Sequence, residues 1–207
     1  MFALPPSLYD KVQSLAWGGC DILRDHLGPL GLFGSQVRSV IEIGCGTGHL
    51  AAKIEAQGIE YWGIEPDLAR VSEVEKRFPG RVRPYMLDQV HQWGKIFDAA
   101  IIVNVLHHLD DGMIRAGLAS LSRCVPSGSV FIAEPIYTRR LSCLVNELVR
   151  FADFGRHVRT AREWRDLFRA CGASGDVKPI QYGWLHGIVG HLKLPPHTAA
   201  ASHKEAA

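Results

Sequence analysis

Residues 39–50 read Ser39-Val40-Ile41-Glu42-Ile43-Gly44-Cys45-Gly46-Thr47-Gly48-His49-Leu50, an apolar run that leads straight into three glycines at alternate positions. Val40 to Ile43 has the β-branched character of a buried parallel strand. Gly44, Gly46 and Gly48 allow a tight turn with no side chain between the backbone and a nucleotide-like ligand. Leu50 to Gln57 then reads as a short helix closed by Gly58, with its first amides facing that ligand.

The glycine spacing narrows the choice of ligand. A dinucleotide fingerprint, Gly-x-Gly-x-x-Gly, uses its third glycine for close packing of helix on strand, and His49 stands where that glycine belongs. The pattern here is Glu-x-Gly-x-Gly-x-Gly. Its leading acid, Glu42, repels a phosphate and suits a cationic or amino-bearing ligand. In this form the turn resembles the first motif of the class I methyltransferases, which use S-adenosylmethionine and release S-adenosylhomocysteine. The resemblance implies cofactor contacts from Glu42, Gly44, Cys45, Gly46 and Gly48.

That family carries further acids at the ends of the next two strands. Glu60 to Glu65 reads as a second strand ending in an acid, where a carboxylate can accept both hydroxyls of a ribose. Pro66 and Asp67 start a helix with Leu68, Val71, Val74 and Phe78 on one side, stopped by Pro79-Gly80. Arg81 to Leu87 reads as a third, more polar strand ending in Asp88. By resemblance, Glu65 and Pro66 lie at the ribose, Asp88 bonds the adenine amino group and Leu87 flanks the ring. Phe97 to Leu109 is a fourth strand breaking into a polar tip, and Asn104 there matches the family's position beside the methionine part of the cofactor.

Asp110-Asp111 caps a helix with Ile114, Leu118 and Leu121 facing inward, and Ser129 to Ala133 makes a fifth strand. Strands alternating with helices predict an α/β fold with a doubly wound, mostly parallel sheet and helices on both faces. The family likeness extends it to seven strands, the last two about Gly175–Tyr182 and Leu185–Leu192. The expected layout is a helical cap over residues 1–35 and a methyltransferase domain over 36–194. Its substrate-covering segment spans 135–160, and a disordered tail spans 195–207.

At 207 residues and 47% hydrophobic, the chain can bury a large core without disulfides or metals. A net charge of +2 gives no reason to expect a nucleic acid. Five cysteines without a Cys-x-x-Cys pair argue against a zinc site or a disulfide framework, so no metal is expected and a cytoplasmic location is. No apolar run approaches the roughly 20 residues that cross a bilayer, so no membrane partner is expected. Nothing indicates an oligomer.

The acceptor should sit under the segments that cover the carboxyl ends of the strands. One is Tyr9 to Leu30, readable as a helix carrying Leu15, Trp17, Ile22 and Leu23; the other is Glu134 to Thr160. Tyr137, Arg156 and Arg159 in the latter are candidate substrate contacts, while the remaining arginines between Arg139 and Arg169 fit a solvated helix face. Thr160 and Glu163 form a capping box ahead of a stripe of Trp164, Leu167, Phe168 and Cys171. A hydroxyl nucleophile needs a base near neutral pKa, and His107, His108 and His157 are of the right type; adjacent His107 and His108 cannot both face the cleft in the same way, so His108 and His157 are the candidates kept, each of which could instead be a packing or loop residue.

The expected acceptor is a small molecule with an oxygen, nitrogen or carbon nucleophile. The stretch Gly155 to Trp164 resembles bacterial methyltransferases of sugar and small-molecule pathways. The fourth strand lacks the Asn/Asp-Pro-Pro-Tyr/Phe of enzymes that methylate base amino groups. Two other readings stay open: a nicotinamide-dinucleotide oxidoreductase, against which His49 counts, and a domain that binds the cofactor without catalysis.

Overall fold

The computed structural model describes residues 20–136, 157–182 and 185–197. Seven strands form one sheet: β1 Ser39–Ile43, β2 Glu60–Ile64, β3 Val82–Arg83, β4 Ala99–Val103, β5 Ser129–Pro135, β6 Ser174–Tyr182 and β7 Leu185–Lys193. Their spatial order is β3-β2-β1-β4-β5-β7-β6. The first five pair in parallel, and β7 runs antiparallel between β5 and β6. The seven-stranded, mostly parallel class I methyltransferase architecture is therefore present.

Among the described residues four α-helices flank the sheet: α1 Ala51–Glu55, α2 Leu68–Glu75, α3 Asp111–Cys124 and α4 Ala161–Ala170. The alternation of strand side chains divides the core into two layers. One layer joins Ile41, Ile43 and Ile102 to Ile114, Leu118, Trp164 and Phe168 of α3 and α4. The other joins Val40, Tyr61 and Ile101 to Ala51, Ile54 and Val74 of α1 and α2. Helix starts follow the side chains: Asp67 accepts from the amides of Ala69 and Arg70, Asp110 from that of Met113, and Thr160 pairs reciprocally with Glu163.

Two expectations need correction. The third strand is only two residues long, because Pro84 has no N–H for the ladder; Leu87 to Trp93 forms a 3-10 helix instead, which places Asp88 in its first turn and not at a strand end. The expected helix over Tyr9–Leu30 is, from residue 20 onward, a π-helical turn at Leu23–Leu27 followed by a 3-10 turn at Gly28–Leu30. Pro29 cannot continue the helical ladder there. Leu15 and Trp17 lie outside the described residues. Ile22, Leu23, Leu27 and Leu32 are buried with Phe131, Ala133 and Val189, so this segment packs on the β5–β7 part of the sheet. Among the described residues no helix is long and apolar enough to cross a membrane.

Candidate active site

The sheet order reverses direction between β1 and β4, and at such a switch point the connecting loops diverge and leave a crevice at the carboxyl ends of the strands. A cavity of about 360 Å³ lies there, lined by the turn after β1, the end of β2 and the tip of β4. Gly44, Gly46 and Gly48 all have positive φ, at 64°, 54° and 70°. A Cβ on Gly44 would sit 2.6 Å from Val105 Cγ2, so the two loops touch where glycine alone fits. A Cβ on Gly46 would meet nothing within 4 Å, because that backbone faces open space in the cavity. Gly48 differs: it is buried against Val74 and Arg77 of the α2 region and packs the turn without lining the cavity.

Two buried acids border this backbone. Glu65, 5% exposed, accepts from the Gly46 amide at 2.9 Å and from the Asp67 amide at 3.1 Å, so its carboxylate fixes the turn to the end of β2. Each oxygen keeps a second lone pair for a ligand hydroxyl. Glu42, 4% exposed, receives the Tyr61 hydroxyl at 2.6 Å. Burial pushes its carboxyl up to about 8; the nearby Glu65 adds to this and the Tyr61 bond opposes it. Cys45 also lines the cavity, its thiol raised by burial and by Glu42, so it is a poor nucleophile.

Around Leu87 and Asp88 the cavity lining differs by one residue from expectation. Met86 lines the cavity, whereas Leu87 turns into the core and packs on Gly117 of α3. Asp88 is exposed and does not line the cavity. Pro66 and Asn104 do line it. Asn104 holds a left-handed φ of 57°, rare for a residue other than glycine, while its amide bonds the Ala133 carbonyl at 2.9 Å.

The two histidine candidates are not brought together. His108 is exposed and lines the cavity, its ring 4.1 Å from that of buried His107. His157 lines a separate groove beside Asp111, Arg115 and Glu163, and its amide bonds the His107 carbonyl. Arg159 is 9% exposed; it bonds Asp111 at 2.6 and 3.1 Å, the Leu109 carbonyl at 3.0 Å and the His157 carbonyl at 2.8 Å, and it stacks on Trp164. These bonds engage four of its five N–H groups, so it braces the loop after β4, and it lines the same groove as His157. Tyr137 and Arg156 lie outside the described residues.

Sequence reasoning passed over several residues of the site. His49, Arg70, Val105 and Leu109 line the cavity, and Glu134 lies fully buried beneath its wall. An acid ending an otherwise apolar strand, Ser-Val-Phe-Ile-Ala-Glu, is the signal that could have found Glu134. Among the described residues no group of three or more histidine, cysteine or acidic side chains is placed to hold a metal ion.

Known proteins resemble this chain in sequence and in fold. A family model described as a methyltransferase domain matches residues 21–175. A ubiquinone biosynthesis O-methyltransferase from Methylobacterium sp. (strain 4-46) is 29% identical over 120 residues, covering 55% of this chain and 45% of that protein. The chain thus spans less than half the length of this curated relative. Among solved structures, a SAM-dependent methyltransferase from Archaeoglobus fulgidus has a TM-score of 0.65 at 17% identity, covering 89% of this chain and all of that one. The 1,6-didemethyltoxoflavin-N1-methyltransferase of Burkholderia thailandensis, with its substrate and S-adenosylhomocysteine bound, has a TM-score of 0.60 at 19% identity, covering 94% and 93%.

Proposed function

The chain belongs to the methyltransferase-domain family of class I, S-adenosylmethionine-dependent enzymes, and on that premise we propose that it transfers a methyl group from S-adenosylmethionine to a small-molecule acceptor. The observation that carries this reading is the single cavity in which the open backbone of Gly46, the Glu65 carboxylate and the Glu42 carboxyl converge. A cavity of this size suits a compact organic ligand, and the Glu65 carboxylate at its floor offers acceptors for that ligand's hydroxyl groups.

Within this reading each residue has a task. Glu65 accepts the ribose hydroxyls while holding the turn, and Gly44 and Gly46 let the backbone approach the ligand. Met86 packs on the adenine, with Asp88 two residues further on as acceptor for the amino group. Glu42 and Asn104 meet the amino-acid end. Bound S-adenosylmethionine supplies a sulfonium methyl already activated by its own charge. The protein therefore has mainly to align the acceptor with that methyl and to exclude water. Where the nucleophile is a hydroxyl, His108 at the cavity wall takes its proton in this reading.

The small-molecule acceptor rests on likeness: the curated relative is an O-methyltransferase of ubiquinone biosynthesis, and one structural neighbour is an N-methyltransferase of a toxoflavin precursor. Both atom types stay within the proposal. Isothermal titration with S-adenosylmethionine, S-adenosylhomocysteine and a nicotinamide dinucleotide tests the cofactor. Micromolar binding of the first two alone is expected; binding of the dinucleotide alone overturns the reading.

A further inference from the structure

Glu134, the penultimate residue of β5, has no exposed surface, and its carboxylate is surrounded by donors from one short stretch of chain. Its Oε1 accepts from the amides of Val105 at 2.9 Å and Leu106 at 2.8 Å. Its Oε2 accepts from the amide of His107 at 3.3 Å and meets His107 Nδ1 at 2.8 Å. A buried carboxylate held by several N–H groups forms strong, charge-assisted bonds, and losing it strands every donor it satisfied.

The stretch so gathered begins one residue after Asn104 and ends one before His108, and both of these line the cavity. It includes Val105, whose side chain closes on Gly44. Asn104 itself sits in a left-handed conformation that persists only where its surroundings impose it. Leu106–His108 is a single 3-10 turn whose leading amides have no partner within the turn, and the Glu134 carboxylate accepts from them. The His107 carbonyl in turn receives the His157 amide, which links the same stretch to the far end of the covering segment.

We propose that Glu134 is a positioning residue: through three consecutive backbone amides and the His107 ring it sets the cavity wall formed by Asn104, Val105 and His108, and thereby governs cofactor affinity. The link to the cofactor rests on the function proposed above, whereas the clamp itself does not. Glu134→Gln replaces one accepting oxygen with an NH2 group that faces donors. In this variant the amides of Val105, Leu106 and His107 should exchange with solvent at least about ten-fold faster, while those of Ile101 and Ile102 in β4 keep their protection. S-adenosylhomocysteine affinity, measured by calorimetry, should fall about ten-fold, the effect of losing a well-made buried bond.

Phe168→Leu, in the core away from the cavity, serves as the control for stability loss alone and should leave affinity unchanged at a comparable drop in Tm. Equal affinity losses in both variants would reduce Glu134 to a general stabilising role and overturn the proposal. Unchanged exchange at residues 105–107 in Glu134→Gln overturns the clamp whatever the ligand does. Failure of the wild-type protein to bind S-adenosylhomocysteine overturns the function and leaves the exchange comparison to decide the clamp. Should Glu134→Gln not fold, Glu134→Asp, which withdraws the carboxylate by one methylene, is read by the same two measurements with the same expected directions.

Discussion

Glu42 is the residue where burial has the clearest measurable effect. Its carboxyl ordinarily ionises at 4.5, and in the folded protein burial raises that to about 8. Between those values the folded protein holds a proton that the unfolded chain releases. The associated stability is complete below about pH 4.5 and is lost as the pH rises through about 8. Tm measured from pH 5 to 9 should therefore fall more steeply in the wild type than in Glu42→Gln; parallel curves would refute the raised ionisation. At Gly44, an alanine meets both the positive φ and the Val105 methyl, and the variant should lose about 2 kcal/mol in denaturant unfolding. Glu65→Ala should weaken S-adenosylhomocysteine binding about ten-fold or more by calorimetry. Asp88→Ala should cost less, because a solvent-exposed carboxylate gives up water to make its bond.

The elements show how far local pattern reaches. The strands β1, β2, β4 and β5 are legible because their apolar runs are short, β-branched and bounded by turn residues, and the switch point follows from their order. β6 and β7 match expectation within one residue at the ends where they differ, although those bounds came from the family likeness. The third strand was not legible as it stands, since one proline outweighs an otherwise extended pattern, and that shift carries Met86 into the cavity in place of Leu87. The bracing role of Arg159 was not legible, because a basic residue on a loop looks the same in sequence whether it awaits a ligand or spends its donors on Asp111 and two carbonyls. Glu134 is marked in sequence only as an acid near the end of an apolar strand, and what it holds was not legible, because three of its partners are backbone amides. The capping box of α4 was legible in full, and Thr160→Ala should cost about 1 kcal/mol in equilibrium unfolding.

For the whole molecule, a ligand that binds only the folded state shifts the unfolding equilibrium by mass action. At a concentration one hundred times its Kd, S-adenosylhomocysteine should add about 2.7 kcal/mol. For a domain of this size that corresponds to roughly 5–10 °C in Tm, and a nicotinamide dinucleotide should add nothing. Ile136, just beyond β5, pairs with Arg159, just ahead of α4, in a parallel bridge. The two residues are thereby held side by side. For a chain whose two ends are fixed together in this way, a change of length alters the closure entropy only logarithmically. On the function proposed above, grafting the one contiguous piece of gene between Ile136 and Arg159 from a relative should exchange acceptor preference while S-adenosylhomocysteine affinity, measured by calorimetry, stays as it was.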